Sequence, residues 1–188
     1  MIDIEMSSQE IINAKLLLEK FSASEVNKAA AAAINRTVTT VRKETSKSIK
    51  ESYTIGSSDI KTAMSTEKAN STTLKGVVSA TGRAISLTKF KTQVRKTGPV
   101  RVQVRKNAGL TPIKGLFLGR AKTSYTGLMQ RITSKSYPLR IPYGPSAAQM
   151  LGSENVLKSL TPIAEETLNT RFAHEIAYRV NKLGGKTI

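Results

Sequence analysis

At 188 residues the chain is the size of one domain, and its 39% hydrophobic content supplies a modest core. It has no cysteine, one histidine and no run of about 18 apolar residues, which excludes disulfides, thiolate catalysis, Cys- or His-rich metal sites and a membrane-spanning helix. Thirty Lys and Arg against thirteen Asp and Glu leave a formal charge of +17. The acidic N-terminus lacks the apolar stretch of a secretory signal, so a soluble, intracellular-type protein is expected.

Ile2, Ile4 and Met6 alternate with Asp3 and Glu5, the period of a short strand. Ser7 and Glu10 have capping-box spacing and would open a helix carrying Ile11, Ile12, Leu16 and Leu18 as far as Phe21. Ser22 and Glu25 repeat the signal. Behind them Val26, Ala30, Ala33, Ile34, Val38, Val41, Thr45 and Ile49 recur at spacings of three and four, predicting a helix to Tyr53. About 28 residues at 1.5 Å each make a rod of roughly 42 Å. Its alanine run allows close approach, either within a helical hairpin or against a neighbouring subunit.

Ser57-Ser58-Asp59 predicts a short helix through Met64. The period then changes, and residues 74–80, 85–95 and 100–106 read as strands. In the last of these Val100, Val102 and Val104 alternate with Arg101, Gln103 and Arg105. Lys96-Thr97-Gly98-Pro99 forms the hairpin turn before it, with Gly98 supplying a positive φ. Further strands are expected at 113–118, 127–133 and 137–141, ending where Pro142 and Pro145 flank a turn. Ser153 caps a short helix to Leu160, and Thr161-Pro162 starts another. That last helix would bury Ile163, Leu168, Phe172, Ile176, Val180 and Leu183, with Gly184-Gly185 closing it. The fold class is α+β: one domain over 1–188, with a helical arm (1–65), a basic antiparallel sheet with a hairpin (66–144) and C-terminal helices (145–188).

The charge is unevenly spread. Residues 1–30 net −2, residues 31–80 net +4 and residues 144–188 net +1, whereas residues 81–143 hold fourteen bases and no acid. Not one Asp or Glu occurs from Lys68 to Ser153. A solvated surface interleaves both signs, so this segment calls for counter-charge from nucleic acid, an acidic partner or the chain's own acidic ends.

Catalytic patterns are missing. His174 has no nucleophile pointed out by spacing, and Glu165-Glu166 are neighbours that do not share a helix face but do complement the helix dipole. Gly109, Gly115 and Gly119 lack the lysine and following helix of a phosphate-binding loop. An enzyme is therefore not expected, nor a cofactor. No zinc finger, recognition helix or exposed aromatic platform is legible, which leaves nucleic-acid contact through the phosphate backbone without sequence reading.

Three stretches carry a family resemblance. Residues 29–64 hold the alanine-rich helix with Asn35-Arg36-Thr37 and the short helix after it; residues 82–106 hold a Phe90 strand and the basic hairpin; residues 115–151 hold the Phe117 strand, Arg131, Leu139-Arg140-Ile141-Pro142 and Gly144-Pro145-Ser146. In that order they resemble the phage and prophage minor tail protein Z family, the tail-completion proteins of long non-contractile tails. Met129-Gln130 departs from the Val-Phe often found there. The resemblance implies a non-enzymatic virion protein at the head-proximal end of the tail, at the head–tail junction, assembled from the host cytoplasm. It further implies a homo-oligomeric ring, a hexamer for preference, contacting tail terminator or tail tube proteins and head-connector proteins, and holding the end of the viral double-stranded DNA without sequence specificity or membrane contact. The other readings of the charge are a ribosomal or nucleoid-type nucleic-acid-binding protein and an assembly adaptor for acidic proteins.

A magnitude narrows the DNA-facing set. A ring about 35 Å tall surrounds roughly 20 phosphates of duplex DNA, whereas six copies of the fourteen-base segment bring about 84 charges. Three or four side chains per subunit suffice, and Arg95, Lys96, Arg101 and Arg105 are expected there because the valines commit the opposite strand face to the core. Ala29, Ala31 and Ala33 are expected on an exposed face as a subunit or tail interface, together with Arg131 and Arg140 from the resemblance motif.

Overall fold

The computed structural model describes residues 1–5, 22–95, 98–120 and 126–184, and its elements are α+β as expected. The chain divides into two compact units, one of residues 1–45, 64–80 and 157–188, the other of residues 46–63 and 81–156. Each consecutive block read from the sequence runs through both. The helix expected over 7–21 and the Gly185 end of the closing signal lie outside the described residues, as does the side chain of Leu183.

In the first unit, α1 (Ala23–Ser52) begins where the Ser22 hydroxyl accepts the Glu25 N–H at 3.4 Å. Its stripe Val26, Ala30, Ala33, Ile34, Val38 and Val41 is buried, as the spacing predicted. Ala29 and Ala31 are buried too. The expectation of an exposed alanine face is therefore corrected: these small side chains fill the chain's own core. The partner sheet is antiparallel, in the order β1 (Ile2–Glu5), β3 (Lys75–Ala80), β2 (Met64–Glu67). The helix seats on β3 at Gly76, where a Cβ would stand only 2.5 Å from Val38 Cγ2 and 2.7 Å from Ile34 Cγ2. β2 was not foreseen. The short helix expected to include Met64 stops at Ala63, and Met64 instead pairs with Ala80, with the Ser65 and Ser79 hydroxyls 2.8 Å apart across the strands.

The C-terminal helices are one helix, α4 (Glu154–Gly184), whose first three residues belong to the second unit. The Thr161 hydroxyl donates to the Leu157 carbonyl at 3.1 Å, so it continues the helix instead of capping a new one, and Pro162 lies inside. Val156, Leu160, Ala164 and Leu168 are buried at a spacing of four. Leu168 apart, the expected apolar stripe is corrected. Ile163, Phe172 and Ile176 are half-buried and Val180 is 38% exposed, because the face turns to Glu175.

The second unit holds the last turns of α1, α2 (Ser57–Ala63), α3 (Ala147–Leu151) and two antiparallel sheets. One is β4 (Lys91–Gln93), β5 (Arg101–Gln103), β6 (Thr111–Pro112); the other is β7 (Leu116–Arg120), β8 (Thr126–Arg131), β9 (Leu139–Arg140). The strand expected over 85–95 is present only as β4, preceded by a 3-10 turn, Leu87–Lys89, because the Ser86 hydroxyl takes the Thr88 N–H and Leu87 and Phe90 both turn into the core. A Cβ at Gly144 would stand 2.7 Å from the Phe90 ring, which is why glycine follows Tyr143 there. The stretch 139–146, read as the end of the sheet, also starts α3: Ser146 and Gln149 form a reciprocal capping box at 3.2 and 2.9 Å.

Candidate functional site

The +17 charge belongs chiefly to one unit. Residues 46–63 and 81–156 carry seventeen bases and three acids, whereas the other unit carries thirteen and ten. Asp59 pairs with Lys89 at 3.1 Å, and three carboxylates cannot neutralise seventeen cations.

The basic hairpin is β4 and β5, in the register Lys91 to Gln103, Thr92 to Val102 and Gln93 to Arg101. Residues directly opposite share a face, so Val102 points with Thr92 into the core while Arg101 and Lys91 take the other side. Gly98 has φ 105°, the positive φ expected of it; Lys96 and Thr97 of the expected turn lie outside the described residues. Arg95 is exposed and Arg101 is half-buried on the strand.

Arg105 departs from that face. β5 ends at Gln103, three residues before the expected end at Lys106. Thr54 is the cause. Its N–H donates to the Val104 carbonyl at 3.0 Å, its hydroxyl donates to the Gln103 carbonyl, and the same oxygen accepts the Lys91 N–H at 3.1 Å. One side chain thus fastens both strands of the hairpin. Arg105 then lies over the Tyr53 ring, 5.9 Å from its centroid, a favourable seat for a guanidinium. With Lys106 it lines a cleft of about 440 Å³ that Glu51 and Glu154 also line. Thr54 carried no sequence signal, because its role depends on strands 37 and 49 residues further along the chain.

Arg131 and Arg140 occupy adjacent strands but opposite faces. Arg131 stacks on Phe117 at 4.8 Å, and Arg140 Nε donates to Gln130 Oε1 at 2.9 Å. Both are exposed. In the first unit, Asn35-Arg36-Thr37 proves to be a fastening. The Asn35 amide exchanges two hydrogen bonds with the Ala69 backbone, at 2.9 and 2.8 Å. Arg36 meets the buried Glu175 at 2.9 Å, and the Thr37 hydroxyl turns back to the Ala33 carbonyl. Arg179 reaches the same Glu175 at 3.4 Å, an i,i+4 pair that the sequence alone could have suggested.

Among the described residues no group of three His, Asp or Glu side chains could hold a metal ion, and no helix is long and apolar enough to cross a membrane. His174, Glu165 and Glu166 are exposed on α4.

The family model of prophage minor tail protein Z matches residues 11–183, nearly the whole chain. The chain belongs to this family. It is accordingly a structural protein of the phage tail, and the virion tail is its place. No curated protein and no solved structure matches it.

Proposed function

We propose that this minor tail protein completes the head-proximal end of the tail at the head–tail junction, as a non-enzymatic ring of six copies that holds the DNA end by its phosphates. The observation that carries the reading is the charge asymmetry: seventeen bases against three acids in one unit, with Arg95 and Arg101 presented on a hairpin braced by Thr54. Phosphate contacts neutralise such a field without reading bases, which suits a protein that meets whatever sequence the DNA end brings. Lys96, next to Arg95 in the sequence, is included in the proposed set. Arg105 contributes less than its neighbours on the hairpin, because Glu51 and Glu154 line its cleft. Tail terminator or tail tube proteins below and head-connector proteins above are the proposed neighbours, met after assembly from the host cytoplasm.

Salt titration of duplex binding tests the DNA contact. Log affinity should fall linearly with log salt, with a slope of about −0.9 per phosphate engaged, and should not depend on sequence. Changing Arg95, Lys96 and Arg101 together to Gln should reduce that slope by up to about 2.7. A slope unchanged by the triple variant would place the DNA elsewhere, and salt-independent binding would remove it from the function.

A further inference from the structure

β7 ends its sheet, so one of its edges pairs with no described strand. The groups on that edge follow from the register. Arg131 N–H donates to the Gly115 carbonyl at 3.1 Å, and Gly115 continues the pairing of Leu116 with Gln130 and Phe117 with Met129. Alternation in an antiparallel ladder then turns the N–H and C=O of Phe117 and Gly119 toward β8 and those of Leu118 and Arg120 outward.

The side chains mark the same edge. Leu116 and Leu128 are buried, at 6% and 1%, yet Leu118 on their face is 53% exposed, so the apolar face runs off the sheet at β7. On the other face Arg131 lies over Phe117. An unpaired, half-apolar edge of five residues is a template for another strand. The chain carries a match for it. β1 also ends its sheet, and its four residues alternate two isoleucines with two acids. At about 3.3 Å per residue the two strands have comparable lengths, roughly 13 and 17 Å.

We propose that β7 of one copy receives β1 of the next as an added strand, its alternation of isoleucine and acid matching an edge that is apolar on one face and carries Arg131 on the other. Such a contact joins two different surfaces, and repeated around a circle it closes a ring. The inference rests on the ring reading above and supplies its interface.

The chain has no cysteine, so engineered thiols report only the contacts designed into it. In tails assembled with Ile2→Cys combined with Leu118→Cys, or with Arg120→Cys, mild oxidation should yield a ladder of disulfide-linked multimers that no single variant gives. Leu118→Pro removes an outward N–H where an edge strand tolerates proline, and should cut the copies per tail about tenfold. Leu118→Lys, a milder change to the fold, should do the same, with circular dichroism confirming that both variants are folded. Monomers alone from both double-cysteine variants, or unchanged copy number in the Leu118 variants, overturns the strand addition. Copies counted per unaltered tail judge the ring separately: several copies without cross-links overturn only this interface, and one copy overturns the ring as well.

Discussion

Ala29, Ala31 and Ala33 show how a small side chain misleads when read as a surface. Small residues permit close approach, and here the approach is made by the chain's own core, with Ala33 at 0% exposure. Ala33→Glu should therefore lower stability by at least ~3 kcal/mol, because the carboxylate would be buried without a partner. Thermal unfolding should show a melting point lower by roughly 6–12 °C. Were Ala33 a docking residue instead, the melting point would hold and tail attachment alone would fail. Glu25 offers a milder test. Its hydrogen bond from Lys28 holds its carboxyl below its ordinary value, against the opposing effect of desolvation and with help from the attraction of Lys28, Arg179 and Lys182. A depressed carboxyl contributes stability above its unfolded pKa and loses it as the pH falls through the folded value. Lys28→Met should move the Glu25 titration upward in an NMR pH series, toward the ordinary carboxylate range.

Elements were legible where a signal was local. The long α1, the start of β1, the short α2 and the positive φ of Gly98 all follow from spacing or from a residue's own backbone preference. Strand ends were not. β5 stops three residues early because Thr54 claims the carbonyls of Gln103 and Val104, and the 85–95 run coils before β4 because Leu87 and Phe90 find burial three residues apart. Thr161-Pro162 has the form of a helix start, yet α4 passes through it, since packing on both sides outweighs one missing hydrogen bond. The Ser146–Gln149 capping box shows the converse, a local signal at the head of α3 that the flanking prolines obscured. Ser146→Ala should cost about 1 kcal/mol and Ser146→Asp much less, because aspartate can accept the same N–H. Chemical denaturation of the three proteins would measure both differences.

For the whole molecule, the uneven charge separates two kinds of arginine. Arg95 and Arg101 stand on the braced hairpin, whereas Arg131 and Arg140 stand on opposite faces of the other sheet, each engaged by a neighbour on that sheet. Changing Arg95, Lys96 and Arg101 to Gln should leave tails assembled and joined to heads but lower infectivity. Changing Arg131 and Arg140 to Gln should reduce the number of complete tails. Plaque counts beside electron-microscopic counts of attached, DNA-filled particles would decide both, and full infectivity of the hairpin variant would mean that its tip points away from DNA. Composition by itself determined the charge, the poverty of catalytic groups and the α+β class, since counts and short-range periodicity do not depend on what packs where. Which alanines are core, where strands end, how seventeen cations gather with three acids, and why Asn35 and Arg36 sit together all awaited tertiary structure. Each depends on partners distant in sequence, such as Ala69 and Glu175, and burial and hydrogen bonding are settled only when those partners meet.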